Sequence, residues 1–167
     1  MQKNFSTFLS FAHFLCDYAR EELTKNFMSK EIKFSNKKVL DKRELVTDID
    51  LKIEKNIRRL ISKNYPHHSI VGEEEEKKIA HSDFIWIVDP IDGTKAFATG
   101  LPVFGIIMAL KYKKSNIFGV VDLPILKQRY WSYKNKSYCN GRVIKTRKCK
   151  SFSNAIVAST EPNMFSN

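Results

Sequence analysis

The sequence predicts an α+β domain in which N-terminal helices pack on a largely antiparallel sheet. Three features predict it: helical periodicity is confined to the part before Pro66, apolar runs of strand length dominate from Ser69 onward, and turn signals separate those runs. Asn140-Gly141 is the strongest hairpin signal in the chain. With 167 residues, 43% of them hydrophobic, there is enough apolar material for one real core.

The first helix is read from "FSTFLSFAHFLCDYAREELTKNF", where Phe8, Phe11, Ala12, Leu15, Ala19 and Leu23 recur on one helical face while Asp17, Arg20, Glu21 and Glu22 lie mostly off it. His13 interrupts the apolar opening and no small-residue cleavage site follows, so this stretch is read as a helix instead of a signal peptide. "KEIKFSNKKVLDKRELVTDID" reads as loop and strand, with Val39-Leu40 and Leu45-Val46 as apolar islands. A second helix is expected from about Leu51, with Ile53, Ile57, Leu60 and Ile61 inward, Arg58 among the residues placed elsewhere, and Pro66 closing it. "HSIVG" and "DFIWIVD" read as buried strands. "VFGIIMALKY", "NIFGVVDLP" and "QRYWSYKNKSYCNGRVI" supply three or more further strands joined by turns.

The cysteines Cys16, Cys139 and Cys149 are odd in number and show no C-x-x-C spacing, which argues against a disulfide framework and a structural zinc site and fits a reducing cytoplasm. No segment is long enough to span a membrane. The formal charge of +11 suits an anionic partner, and the excess concentrates between Lys127 and Lys150, where no acidic residue occurs. Tyr130, Trp131, Tyr133 and Tyr138 in that stretch could stack on bases, but their alternation with polar residues is the simpler mark of strand faces, so nucleic acid is the weaker candidate beside a small phosphorylated metabolite.

Four carboxylates stand out: Asp50 in "LVTDID", Glu73 after Gly72, and Asp89 and Asp92 in "VDPIDGTKAF". Each lies where an apolar stretch meets a turn or helix. Singly they are ordinary, since Glu73 to Glu76 is a charge run of the solvated kind and Asp50 suits a helix start. If those junctions gather on one sheet edge, the repulsion among them calls for divalent cations, and oxygen ligands without histidine or cysteine suit magnesium better than zinc. In the turn expected after Asp89, Pro90 fixes its own φ, Gly93 allows a positive φ or a close backbone approach, and Thr94 stands where a short helix with phosphate-binding amides can begin.

"LVTDID" at 45–50, "VGEE" at 71–74 and "WIVDPIDGTKAF" at 86–97 resemble, in order, the motifs of the inositol monophosphatase family of magnesium-dependent, lithium-sensitive phosphatases. The resemblance implies the first domain of that family's α-β-α-β-α sandwich. It implies that Glu73, Asp89 and the carbonyl of Ile91 hold one magnesium and that Asp89 and Asp92 contribute to a second. Asp50 and Thr94 are implied as the pair that orients and deprotonates the attacking water, and the amides of Gly93 and Thr94 as phosphate ligands. His13, His67, His68 and His81 lie in no family motif and receive no part in the chemistry.

"TKAFATGLPVFGIIMAL", "GVVDLPILKQRYW", "CNG" and "TRKCKSFSNAIVASTEPNMF" are most similar to the bacterial histidinol-phosphate phosphatases of the family. Hydrolysis of histidinol phosphate to histidinol and phosphate is therefore expected. The alternatives are an inositol monophosphatase, a 3',5'-bisphosphate nucleotidase, and an inactive fragment or basic binding module. The resemblance spans nearly the whole chain but only the N-terminal part of the family's fold. Residues 1–150 are expected to form the metal-binding domain, and 151–167 to open a second α/β domain that in relatives carries a further metal-binding aspartate. The expected partners are a second copy or a separate chain that supplies the remaining half.

Overall fold

The structure, a computed structural model, describes residues 5–39 and 42–156, and the side chains of these except 36–39 and 42–45. Helix α1 (Phe5–Asn26) is followed by a two-stranded hairpin, β1 (Phe34–Val39) and β2 (Lys42–Thr47), and by helix α2 (Asp48–Asn64). The remainder is β3 (Ser69–Gly72), β4 (Phe84–Asp92), the short helix α3 (Thr94–Ala98), β5 (Gly105–Tyr112), β6 (Ser115–Leu123), β7 (Gln128–Tyr133), β8 (Lys136–Cys139) and β9 (Arg142–Ile144). These seven strands form one sheet in sequence order, antiparallel throughout except for the edge pair β3–β4. The α+β architecture expected from the sequence is the one observed.

Both long helices cover one face of the sheet. Ala12, Leu15, Cys16, Ala19 and Leu23 of α1 and Ile49, Ile53, Ile57 and Ile61 of α2 are buried against Trp86 and Val88 of β4, Ile106, Met108 and Leu110 of β5, and Phe118 and Val120 of β6. The helices bury residues at three- and four-residue steps and the strands bury every second one. Each large side chain so placed contributes about 1.5–3 kcal/mol. His68 belongs to this core. It lies flat against Phe84 and Tyr65, with ring centroids 4.5 and 5.0 Å away, and its Nδ1 accepts the indole N–H of Trp86 at 3.1 Å.

Two boundaries differ from the sequence reading. Helix α2 starts at Asp48 rather than near Leu51, because Thr47 caps it: the hydroxyl accepts the Asp50 amide, and the Asp50 carboxylate accepts the Thr47 amide in return. Strand β4 does not end at Asp89 but runs to Asp92. Asp89 pairs with Ile107 and Asp92 with Gly105, so three steps on β4 oppose two on β5, and the bulge accommodates Pro90, which has no amide to donate. Leu40 and the side chains of Val39 and Leu45, three of the expected apolar island residues, lie outside the described parts. So do residues 157–167 of the segment expected to open a second domain. Residues 151–156 contain a single 3₁₀ turn, Phe152–Asn154, with Phe152 98% exposed.

At the far end of the sheet, Trp131 and Tyr138 are cross-strand partners stacked on each other, their centroids 5.3 Å apart, and His13 meets Trp131 edge-on at 4.9 Å. Cys16, Cys139 and Cys149 are free, and burial pushes the Cys16 thiol up to about 12. Among the described residues no helix is long and apolar enough to cross a membrane.

One buried charge joins these layers. Asp122 of β6 is fully buried and accepts from Arg20 of α1 (Nε at 2.9 Å, and Nη2) and from Arg129 of β7 (Nε at 2.7 Å). Arg129 reaches on to Asp17 at 2.7 Å and to the carbonyl of His13 at 3.3 Å. Removing the central carboxylate takes from Arg20 and from the Arg129 Nε their shared buried acceptor at the helix–sheet seam. Asp122→Ala is therefore expected to destabilise the chain by about 3–5 kcal/mol in urea unfolding, whereas a loss under 1 kcal/mol would show the cluster to be as weak as a surface pair.

Candidate active site

The four carboxylates singled out in the sequence come from three elements that meet at one end of β4. Asp50 lies in the first turn of α2, Glu73 just past β3, and Asp89 and Asp92 on either side of the β4 bulge. The parallel pairing of β3 with β4 sets Gly72 beside Val88, so the residues that follow each, Glu73 and Asp89, emerge together. Asp92 is exposed on the other side of the bulge.

Asp89 is the electrostatic centre of this group. Its carboxyl is pushed up from 3.8 to about 8, first by burial, then by a side-chain hydrogen bond and charge repulsion from Glu73, then by the charge of Asp92; a bond from the Ile91 amide acts against these. A hydrogen bond between two carboxyl groups requires a proton on one of them. The remaining oxygen, Oδ1, is buried and has no hydrogen-bond partner. Among the described residues no group of three or more His, Cys, Asp or Glu side chains already stands in metal-holding geometry. The donor set nevertheless fits a hard cation: all donors are oxygen, they crowd one another, and one buried lone-pair site is unsatisfied.

Asp50 has its two oxygens divided between two tasks. Oδ2 accepts the Thr47 amide at 2.8 Å and the Thr47 hydroxyl, which locks the side chain to the helix start. Oδ1 faces Thr94, whose Oγ1 is 3.5 Å away, wider than a well-formed O–H···O bond. The Thr94 hydroxyl has one proton, and the nearer acceptor is the Ile91 carbonyl at 3.0 Å. Burial, the largest influence, raises the Asp50 carboxyl, with the charge of Glu73 adding to it against the hydrogen bonds from Thr47. Gly93 caps α3 at φ 88°, a left-handed conformation that favours glycine, and so turns the chain from the strand into the helix that begins at Thr94.

Every expected site residue therefore lies in one neighbourhood. Sequence reasoning missed Glu54 and Arg58. Arg58, read as lying off the buried face of α2, is 9% exposed and Glu54 is fully buried. Their signal is the row Asp50, Glu54 and Arg58, spaced four residues apart, which runs alongside the isoleucine stripe.

The profile of the inositol monophosphatase family matches residues 4–164. The chain is 38% identical over 164 residues to the chloroplastic bifunctional phosphatase IMPL2 of Arabidopsis thaliana, covering 95% of this chain and 46% of that one. It is 36% identical over 91 residues to the histidinol-phosphatase of Mycobacterium tuberculosis, covering 54% and 35% respectively. The extragenic suppressor protein SuhB of Bartonella henselae superposes with a TM-score of 0.75 at 27% identity, over 82% of this chain and 53% of the other. The chain thus spans about half the length of these relatives.

The raised Asp89 carboxyl has a consequence in metal-free solution. The folded chain keeps that proton up to about pH 8 while the unfolded chain releases it near 3.8, so stability falls as pH rises through that window. In chelator, the melting temperature is expected to fall across the window in the native sequence and to fall less in Asp89→Asn; parallel profiles would show that Asp89 does not hold the proton.

Proposed function

The chain belongs to the inositol monophosphatase family, and from that premise we propose that it forms the metal-binding half of a magnesium-dependent phosphomonoesterase acting on histidinol phosphate. The observation that carries the reading is the crowding of Glu73 and Asp92 around the half-buried carboxyl of Asp89, whose buried Oδ1 is unsatisfied. Glu73, Asp89, Asp92 and the Ile91 carbonyl are the groups that would hold magnesium. The chemistry that magnesium would supply there is neutralisation of phosphoryl charge and activation of water as a nucleophile.

The chain's own residues do the rest. Asp50, fixed through one oxygen by the capping box, keeps the other free to take a proton from water. Thr94, one turn from the bulge, positions that water with its hydroxyl. The Thr94 proton can turn from the Ile91 carbonyl toward Asp50, and that carbonyl, with two lone pairs, can serve as a ligand in either rotamer. The amides of Gly93 and Thr94 are assigned to the phosphate, following the family resemblance.

The substrate assignment rests on the similarity to a histidinol-phosphatase and on the "DGTKAF" and "CNG" segments. The family's own name favours inositol monophosphate as the second reading. Leaving-group contacts and a further aspartate are assigned to the part of the family's length that this chain does not span, on a longer polypeptide or a separate one. The sheet face opposite the helices, where Ile107, Ala109, Val121 and Tyr130 are only half-buried, is where that part would pack.

With magnesium and with the rest of the family's length supplied, the protein is expected to release phosphate from histidinol phosphate faster than from inositol 1-phosphate, and to lose that release in chelator and in Asp89→Asn. Thr94→Ala is expected to lower it about 100-fold. Equal release by Asp89→Asn would remove Asp89 from the chemistry, and faster turnover of inositol phosphate would overturn the substrate.

A further inference from the structure

Behind the acidic loop lies a second charged group that the reaction itself does not use. Glu54, one turn after Asp50 on α2, is fully buried. Its Oε2 accepts the Glu74 amide at 2.8 Å, and its Oε1 accepts the Glu75 amide at 3.1 Å and Arg58 Nε at 2.7 Å. Arg58 in turn donates through Nη2 to the Glu75 carbonyl at 2.9 Å and lies 3.4 Å from the Glu75 carboxylate. Gly72 closes the contact from the other side. A Cβ there would stand 1.9 Å from Glu54 Oε1 and 2.7 Å from Arg58 Nη2, which leaves no space for a side chain.

Gly72, Glu74 and Glu75 are thus all seated on this pair, and the residue between them is Glu73. A buried ion pair adds little net stability over an apolar pair of the same shape, so stability does not account for it. Charge-assisted bonds to two successive amides do have a directional effect: they fix the path of the backbone that carries Glu73. We propose that Glu54 and Arg58 are positioning residues that hold the 72–75 backbone so that the Glu73 carboxylate stays against Asp89, and that they thereby set the affinity for the divalent cation. The proposal rests on the reading of Glu73, Asp89 and Asp92 as cation-holding residues.

The test is Mn²⁺ binding to the full chain, followed by the electron paramagnetic resonance signal of free Mn²⁺, with amide hydrogen exchange on the same samples and no turnover involved. Glu54→Gln is expected to weaken Mn²⁺ binding about 10- to 100-fold, and to speed exchange at the Glu74 and Glu75 amides while Val88, Leu110 and Val120 keep theirs. Arg58→Lys, which keeps the charge beside Glu54 but not the fork to the Glu75 carbonyl, is expected to fall between Glu54→Gln and the native chain. Native Mn²⁺ affinity in Glu54→Gln with accelerated loop exchange would overturn the proposal. Should Glu54→Gln speed exchange throughout the sheet, Arg58→Lys decides, and native affinity there would overturn it equally. A native chain that binds no Mn²⁺, or an Asp89→Asn variant that binds it as well as the native chain, would instead remove the cation reading and this proposal with it.

Discussion

Carboxylates brought together at the end of a buried strand repel one another, and much of the local architecture is the means of keeping them there. Asp89 cannot relax outward, because β4 continues past it and is pinned again to β5 at Asp92. Glu73 cannot swing away freely, because the backbone on both sides of it is seated on α2. The free chain answers the repulsion with a proton on the Asp89 side of the group, the least demanding positive charge available.

Helix α2 is accordingly two things at once. Its isoleucine stripe fastens it to the sheet, and the adjacent row of Asp50, Glu54 and Arg58 carries polar contacts outward to β2, to the acidic loop and to Thr94. Because both rows belong to one rigid element, apolar packing of the helix also sets where those polar groups stand.

Much of this was legible in the residues. The helical stripes and the alternating strands announce themselves through periods of 3.6 and 2, and the motif residues fell where glycine, proline and threonine have defined backbone preferences. The β4 bulge was not legible, since "VDPIDG" reads equally as a turn, and only its pairing with β5 shows that the strand resumes after Pro90. The start of α2 was misplaced because Thr47-x-x-Asp50 uses aspartate where the usual box has glutamate or glutamine. Glu54 and Arg58 were hidden by a sound rule, that charged residues face water, which fails when two of them satisfy each other and a loop backbone.

The Asp122 cluster bears on the order in which the chain assembles. It joins residues 102, 112 and 116 positions apart, linking the first helix to strands that leave the ribosome long after it. Helix α1 is therefore made before the strands β4 to β6 that cover its apolar stripe, and its bonds to Asp122 and Arg129 close only after those residues have been synthesised. Such long-range closure is slow and leaves apolar surface open to other chains in the meantime. The nascent protein's solubility thus depends on how long that interval lasts.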